Sequence, residues 1–173
     1  MTNTLQIKLL SDNATLPTRN HDTDAGFDIY AAETVILEPQ EKALIATDIA
    51  INIPKGYVSL LTSRSGVSSK THLVIETGKI DAGFTGNMKI NIKNDSQALP
   101  VNYVSDYYMD VKGNEVPSRP PVMEYKRDTY VINKGDKLAQ LVIVPIITPE
   151  LKQVEEFDNV SERGEKGFGS SGY

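Results

Sequence analysis

Short runs of alternating apolar and polar residues recur along the chain, and they constrain its fold more than any other feature. Residues 5–9 (LQIKL), 49–53 (IAINI) and 88–93 (MKINIK) alternate with a period of two. This period is typical of a β-strand with one buried face, because successive side chains of a strand point to opposite sides. Glycine and proline separate the runs, and the best helix candidate is one or two turns within residues 66–72. The sequence therefore predicts an all-β sandwich or barrel.

Length and composition exclude several classes of protein. The 173 residues suit one domain with its own core, and 18 basic against 23 acidic residues give a net charge of −5. This balance argues against a protein that mainly grips a nucleic-acid backbone, which requires a positive surface. The absence of cysteine excludes disulfides, zinc-thiolate sites and cysteine nucleophiles. Two histidines, His21 and His72, argue against a histidine-rich metal site or a Ser-His-Asp hydrolase.

The hydropathy pattern also bears on location. The longest apolar run, residues 138–147, contains Gln140 and Pro145 and therefore cannot span a bilayer. The N-terminus lacks the charged-then-apolar layout of a secretion signal. We therefore expect a cytoplasmic protein with no membrane partner and no direct nucleic-acid partner.

Two polar segments have both a structural and a functional interpretation. Residues 63–66 (SRSG) precede the predicted helical turn, so they could be a helix cap. They could also bind an anion, because Arg64 supplies a guanidinium group and Ser65 a hydroxyl group to a phosphate. Residues 24–28 (DAGFD) form an acidic turn, which an Asx-type turn explains more simply than a metal site does.

Three further segments are marked by glycine. Residues 78–86 (GKIDAGFTG) indicate a hairpin with one carboxylate, Asp81, at its bend, although most such carboxylates are simply solvated. Residues 135–140 (GDKLAQ) begin a strand, and Gln140 within it could be a buried amide that needs partners. Residues 163–173 are glycine-rich and read by composition as a flexible tail.

In combination these segments supply the parts of one reaction. Attack of a water molecule on a phosphate chain needs charge neutralisation, an anion site and a carboxylate base. A glycine-rich tail could close over such a site, with Arg163 on the terminal phosphate and Phe168 stacked on a ring. The residues alone therefore predict a possible nucleotide-phosphate site, and they do not identify the nucleotide.

The same segments resemble, in order and spacing, the five motifs of the homotrimeric dUTPase family (deoxyuridine triphosphate nucleotidohydrolases). The similar segments are 25–29 (AGFDI), 64–66 (RSG), 78–84 (GKIDAGF), 135–140 (GDKLAQ) and 163–172 (RGEKGFGSSG). The resemblance covers nearly the whole chain except residues 95–128. It implies a dUTPase-like distorted jelly-roll β-barrel over residues 1–162, an arm over residues 163–173, and a homotrimer with exchanged C-terminal arms.

The resemblance also implies a reaction, in which dUTP is hydrolysed to dUMP and pyrophosphate and uracil is thereby kept out of DNA. Asp81 would be the general base that orients a water molecule for in-line attack on the α-phosphate. Mg²⁺ would be chelated by the three phosphates, with Asp28 nearest the metal and in contact with it through water. The implied substrate-binding residues are Arg64, Ser65, Gly66, Gly78, Lys79, Ile80, Phe84, Lys89, Gln140, Arg163, Gly167, Phe168, Gly169, Ser170 and Ser171.

Two of these positions depart from the usual family residue. Phe84 stands where tyrosine is usual, and Ser171 stands where threonine is more common. The ring of Phe84 is expected to pack against deoxyribose and to exclude a ribose 2′-hydroxyl. Because packing excludes the 2′-hydroxyl, discrimination against ribose should persist, and a loss of about tenfold (about 1.4 kcal/mol) is compatible with this. Backbone groups of the hairpin that begins near Gly78 would pair with uracil and reject thymine and cytosine.

Residues 95–128 form an insertion before the fourth motif, longer than an ordinary hairpin loop. They are rich in tyrosine, proline and charge, which indicates either an extended surface hairpin or a partner-binding element. Phage-encoded members of the family resemble this layout, and some of them bind a repressor of a mobile element. One hypothesis is therefore that residues 95–128 and the catalytic face bind a repressor of a mobile element. If the chain is phage-encoded, we expect it in the host cytoplasm.

Two other functions fit the same fold. One is a dUTPase-like regulator without turnover, which predicts a lost base or arm, yet the chain keeps Asp81 and residues 163–173. The other is a dCTP deaminase, whose chemistry needs a different set of acid and base groups around the base ring. A purely structural jelly roll would have no need of Asp81, Arg163 and Phe168 together.

Overall fold

The computed structural model describes residues 4–98, 104–118, 125–159, 161 and 164. They form fifteen strands and one helical turn. The first strands are β1 (Gln6–Leu9), β2 (Gly26–Tyr30), β3 (Val35–Leu37), β4 (Lys42–Ala46), β5 (Ile49–Asn52), β6 (Tyr57–Ser63), β7 (Leu73–Ile75) and β8 (Gly78–Asp81), with the turn α1 (Ser65–Ser68) after β6. The remaining strands are β9 (Lys89–Asn94), β10 (Val104–Ser105), β11 (Tyr107–Met109), β12 (Glu115–Pro117), β13 (Tyr125–Lys126), β14 (Tyr130–Ile132) and β15 (Lys137–Pro145).

Three sheets build the barrel, and their strand orders are not the order of the chain. One sheet has the order β2-β15-β6-β8, the second β4-β9-β7, and the third β12-β11-β14-β3, while β1 pairs with β5 and β10 with β13. All pairings are antiparallel except that of β11 with β14. The jelly-roll-like all-β fold expected from the sequence is therefore confirmed.

The core is formed by the inward faces of these strands. In β9 the burial alternates strictly: Ile90 and Ile92 are fully buried, whereas Lys89, Asn91 and Lys93 are exposed or half-buried. This is the pattern predicted for residues 88–93. The largest fully buried apolar side chains are Ile29, Leu37, Ile45, Ile49, Leu73, Ile90, Ile92, Ile132, Leu138 and Leu141. Aliphatic packing therefore dominates the interior, as the composition of the strands predicts.

The helical turn at Ser65–Ser68 is one of the one or two turns predicted, and it begins one residue earlier, at the functional segment. Arg64 precedes α1 with extended backbone angles, and Val67 anchors the turn in the core. The hydroxyl of Thr71 donates to the carbonyl of Val67, which closes the turn. No helix in the described part of the chain is long and apolar enough to cross a membrane.

The described residues of the insertion form nested hairpins that are attached to the barrel, among other contacts, at their base and at the tip. The buried amide of Asn94 donates to the carbonyl oxygens of Leu37 and Asp128, so that it joins the two ends of the insertion. Gly113 lies in the β11–β12 turn with φ +81°, and a Cβ atom there would stand 2.5 Å from the carbonyl oxygen of Lys70. The hairpin predicted from the sequence is thus present in the described residues, and its tip packs on the chain just after α1.

The core packing gives a direct test. Replacing Ile92 by alanine should lower the free energy of unfolding by about 3 kcal/mol, because a fully buried side chain leaves a cavity. Urea-induced unfolding followed by circular dichroism measures this. Leu16, which is 57% exposed, provides the control: Leu16→Ala should cost less than about 1 kcal/mol. Equal losses in the two variants would contradict the assignment of the core.

Candidate active site

Strand register brings the first, second and fourth predicted motifs to one place. The central strand β15 pairs on one side with β2 and on the other with β6, and Gln140 is aligned with both Asp28 and Thr62. Arg64 follows two residues after Thr62, at the end of β6. Three segments far apart in the sequence therefore present their polar side chains side by side.

An ionic cluster occupies this position. Asp28 is only 6% exposed. Its Oδ1 accepts from Nε of Arg64 at 2.7 Å and its Oδ2 from Nζ of Lys137 at 2.9 Å. Nη1 of Arg64 also donates to the backbone carbonyl of Lys137 at 3.2 Å. The hydrogen bond that Lys137 donates to Asp28 raises the pKa of Lys137, so this ammonium group stays charged at neutral pH.

A polar cleft of about 220 Å³ opens beside the cluster. It is lined by Asn20, Asp24, Gly26, Asp28, Arg64, Ser65, Gly66 and Gln140. The hydroxyl of Ser65 and the side-chain amide of Gln140 have no hydrogen-bond partner among the residues that the structure describes. These groups can therefore bind an anionic ligand, and the cleft has the composition of a phosphate site.

A second cleft of about 390 Å³ lies on the third predicted motif. It is lined by Leu61, Gly78, Lys79, Ile80, Asp81, Phe84, Asn87, Met88 and Lys89. Asp81 is exposed, and no ion pair or hydrogen bond engages its carboxylate within the described ranges. Phe84 is 48% exposed, so its ring is available to a ligand. The walls combine apolar side chains with backbone, which suits a nucleoside.

The turn that follows Phe84 in this second cleft is held by hydrogen bonds to Asp48, a residue that does not line the cleft. Nδ2 of Asn87 donates to Oδ1 of Asp48 at 2.7 Å, and the backbone N–H of Asp48 donates to Oδ1 of Asn87 at 3.1 Å. Ser11 donates to the other oxygen of the same carboxylate at 2.6 Å. The hydrogen bonds from Ser11 and Asn87 lower the pKa of Asp48, which therefore remains ionised. The carboxylate of Asp48 thus holds the residues that follow Phe84 in place.

The two clefts are separate within one chain. Asp81 is aligned with Val58, whereas Arg64 lies six residues further along β6. At a rise of roughly 3.3 Å per residue, the two ends of this stretch are about 20 Å apart. One chain therefore brings together Asp28, Arg64, Ser65, Gly66 and Gln140, and separately Gly78, Lys79, Ile80, Asp81, Phe84 and Lys89. It does not bring Asp81 to the phosphate cleft.

The predicted residues of the arm lie outside the described residues. These are Arg163, Gly167, Phe168, Gly169, Ser170 and Ser171. The structure adds other residues that the sequence reasoning did not select as binding residues, namely Asn20, Asp24, Asn87 and Lys137. Lys137 lies inside the fourth predicted motif, but sequence alone cannot show that its ammonium group reaches Asp28 on a neighbouring strand.

The side chains of the phosphate cleft fit a Mg²⁺ ion that is held mainly by the bound substrate. No group of three or more histidine or acidic side chains that could hold a metal is present in the part of the chain that the structure describes. Asp28 can still accept from a metal-bound water, since each carboxylate oxygen has a second lone pair. Mg²⁺ releases its waters reluctantly and usually takes few protein ligands, which agrees with this arrangement.

The fold and the two clefts define an all-β protein with a divided nucleotide-binding site, and comparison with known proteins gives its family. The dUTPase family model matches residues 12–102 and 121–172, and the internal stretch that it leaves unmatched, residues 103–120, lies inside the predicted insertion. The deoxyuridine 5′-triphosphate nucleotidohydrolase of Mycobacterium marinum is 35% identical over 99% of this chain and 97% of its own length. This chain therefore belongs to the dUTPase family.

Solved phage enzymes are more similar still. The dUTPase of Staphylococcus bacteriophage 80alpha with dUPNHPP is 64% identical, with a TM-score of 0.92 over 99% of this chain and 100% of that chain. A point mutant of the dUTPase of phage phi11 of S. aureus, whose structure shows the coordination of a structural Mg(II) ion, is 65% identical, with a TM-score of 0.87 over 91% of this chain and 100% of that chain. The chain is thus a phage-type dUTP diphosphatase, with Mg²⁺ as the cofactor of its family.

Gly26 offers a test of the phosphate cleft. A Cβ atom there would stand 2.5 Å from Cγ of Gln140 and 2.8 Å from the carbonyl oxygen of Leu141. Gly26→Ala should therefore displace Gln140 and cost about 1–3 kcal/mol of stability through overpacking. Thermal unfolding and the KM for dUTP both report the change. An unaltered melting temperature together with an unaltered KM would show that the two strands are not so closely packed.

Proposed function

We propose that the chain hydrolyses dUTP to dUMP and pyrophosphate at sites that two or more copies share. The observation that supports this most directly is the separation of about 20 Å between the base, Asp81, and the phosphate cleft at Arg64. In-line attack needs the base within hydrogen-bond reach of the attacking water. A neighbouring copy must therefore supply one of the two clefts.

On the phosphate side, the groups without partners bind the triphosphate. Arg64 uses Nε for Asp28 and Nη1 for Lys137, which leaves Nη2 for a phosphate oxygen. Ser65 and Gln140 add a hydroxyl and an amide. Asp28 accepts from a water of the magnesium–triphosphate complex. When bound, Mg²⁺ neutralises phosphate charge and fixes the geometry of the triphosphate chain.

In the nucleoside cleft, the edge of strand β8 recognises the base by hydrogen bonding. Among the described strands, β8 is at the edge of its sheet and pairs only with β6. The backbone N–H and C=O groups on its other side are available to pair with the polar edge of uracil. Gly78, Lys79 and Ile80 supply them, and Lys89 lies in the same cleft. A backbone surface has no adjustable side chains, so it can exclude the thymine methyl group and the amino group of cytosine.

Asp81 orients the water that attacks the α-phosphate and accepts its proton. Its carboxylate makes no hydrogen bond or ion pair within the described part of the chain, so it is free for this role. The ring of Phe84, exposed in the same cleft, packs on deoxyribose and leaves no room for a 2′-hydroxyl group. Removal of dUTP keeps uracil out of DNA and supplies dUMP, and this activity belongs in the host cytoplasm, where DNA precursors form.

We also propose the homotrimer with exchanged arms, with its domain boundary between residues 162 and 163. After β15 the chain exposes large apolar side chains, including Ile147 at 89%, Leu151 at 100% and Phe157 at 83%. Apolar side chains so exposed along one segment favour an interface, because burial stabilises them by about 25 cal/mol per Å². This segment is suited to lie on a second copy and to carry residues 163–173 to its site.

Substrate turnover gives the first test. The wild-type chain with Mg²⁺ should release pyrophosphate from dUTP and hardly at all from dTTP, dCTP or UTP. Asp81→Ala should reduce kcat by about 10³-fold or more, because a positioned base is lost. A coupled pyrophosphate assay measures both effects. Comparable rates for dUTP and dCTP, or an Asp81→Ala variant with normal kcat, would refute the assignment.

Mixing two inactive variants tests the shared site. Asp81→Ala lacks the base but keeps the phosphate cleft, and Arg64→Ala has the opposite defect. If different copies supply the two clefts, denaturing and refolding the variants together should restore part of the activity, whereas each refolded alone should stay inactive. The contrary result, with no recovery in verified mixed oligomers, would mean that both groups act from one chain.

A second proposed function is the binding of a repressor protein, and the exposed surface of the insertion supports it. The 80alpha relative belongs to phage dUTPases described as controlling transfer of virulence genes by a G protein-like mechanism. In this chain the insertion exposes Tyr107 at 47%, and aromatic residues are favoured at protein interfaces. We propose that residues 95–128 and the catalytic face bind a repressor of a mobile element.

A point substitution tests this better than a deletion. Removing residues 95–128 leaves hydrolysis largely intact in the simplest prediction, but it would also remove the barrel contacts of Ser96 and Asp128. Tyr107→Ala should therefore be used, with Tyr107→Phe as its control. A gel-shift titration against a purified mobile-element repressor on its operator should need about tenfold more of the alanine variant, with dUTP hydrolysis unchanged. Equal release by both variants would exclude Tyr107 as a contact.

A further inference from the structure

Two groups of Lys137, its ammonium group and its backbone carbonyl, contact residues of the phosphate cleft, and no role assigned so far uses the ammonium group. Its ammonium group donates to Oδ2 of Asp28 at 2.9 Å and lies 3.4 Å from Oδ1 of Asn20. Its backbone carbonyl accepts from Nη1 of Arg64 at 3.2 Å. Asn20, Asp28 and Arg64 all line the cleft, so Lys137 contacts three of the lining residues without lining the cleft itself.

These contacts restrict how Arg64 can pair with Asp28. A guanidinium group and a carboxylate prefer a bidentate arrangement with two parallel hydrogen bonds. Here only Nε of Arg64 reaches the carboxylate, at Oδ1, because Lys137 occupies Oδ2. The backbone carbonyl of Lys137 binds Nη1 and so fixes the orientation of the guanidinium group, whose Nη2 would otherwise complete a side-on pair with Oδ2. The remaining nitrogen, Nη2, is thereby left for a ligand.

The buried charge makes this restriction important. Asp28 is almost fully buried, and an ionised carboxylate in such a place needs compensating partners. Without the ammonium group, Oδ2 would have to find another donor. The nearest flexible donor is Arg64 itself, which could swing into the bidentate pairing. That movement would withdraw its guanidinium group from the phosphates and change the orientation of Asp28.

We propose that Lys137 is a positioning residue for triphosphate and magnesium binding. It limits the pairing of Arg64 with Asp28 to a single hydrogen bond, from Nε to Oδ1. This inference rests on the proposed function, since the ligand is the magnesium–triphosphate complex of that site. Lys137 itself need not touch the substrate. Its effect reaches the ligand through the orientation of Arg64 and Asp28, and therefore concerns the β- and γ-phosphates and the metal-bound waters more than the nucleoside.

Lys137→Met tests the proposal, with Lys137→Arg as the conservative variant and Lys55→Met as the control for loss of a surface lysine. Calorimetry measures binding of dUPNHPP in the presence of Mg²⁺ and, separately, binding of dUMP. Steady-state assays give kcat, the KM for dUTP and the Mg²⁺ concentration for half-maximal rate. Thermal unfolding shows that each variant is folded.

We expect Lys137→Met to weaken dUPNHPP binding and to raise the half-maximal Mg²⁺ concentration, each by about tenfold, which is the effect of one lost charge-assisted hydrogen bond. The affinity for dUMP should stay within about twofold of the wild type. Lys137→Arg should recover most of the loss, because its guanidinium group can also donate to Oδ2. Lys55→Met should match the wild type.

Three results would overturn the proposal. One is a folded Lys137→Met variant with wild-type affinity for dUPNHPP. Another is equal weakening of dUMP and dUPNHPP, which indicates a general structural role, and the third is a failure of Lys137→Arg to improve on Lys137→Met. If the methionine variant does not fold, Lys137→Gln replaces it and should bind dUPNHPP with an intermediate loss, so wild-type affinity there overturns the proposal equally. Absence of turnover by the wild type would instead refute the proposed function.

Discussion

Three strands meet at the carboxylate of Asp28, and the shape of the phosphate cleft depends on how that charge is compensated. Asp28 lies in β2, Arg64 directly follows β6, and Lys137 is the first residue of β15. Removing one partner of a buried ion pair is costly, because a charge is left without its counterion. The cluster therefore couples the register of the sheet to the chemistry of the site: the same pairing that places Gln140 opposite Asp28 also aims the guanidinium group of Arg64.

The same sheet explains why the site is divided. β6 pairs with β15 on one side and with β8 on the other, so the phosphate cleft forms at one end of β6 and the carboxylate of Asp81 stands near the other end. A strand is stiff and cannot fold back over this length. Association of copies is then a requirement of the proposed catalysis. The apolar side chains exposed after β15 are consistent with such an assembly.

The insertion is an addition to a complete barrel, yet it is not independent of the site. Asn94 joins its two ends to β3, and Gly113 at its tip packs on the backbone of Lys70, directly after α1. The start of α1 carries Ser65 and Gly66 of the phosphate cleft. A partner bound to the hairpin and a nucleotide bound in the cleft would therefore lie on two sides of one short turn.

The sequence by itself predicted most of the barrel strands, the helical turn seen in the described residues, and the candidate groups for the proposed chemistry. Alternation fixes which side of each strand is buried, as in β9, and glycine-marked motifs fix where polar groups can approach a phosphate. Only the tertiary structure decided that Lys137 reaches Asp28, that Asp48 holds Asn87, and that Asp81 lies far from Arg64. Side-chain periodicity is a local property, whereas strand order and register depend on contacts between residues distant in the chain. A sequence pattern therefore predicts which residues belong to the site, whereas the packing of the sheets determines the distances between them.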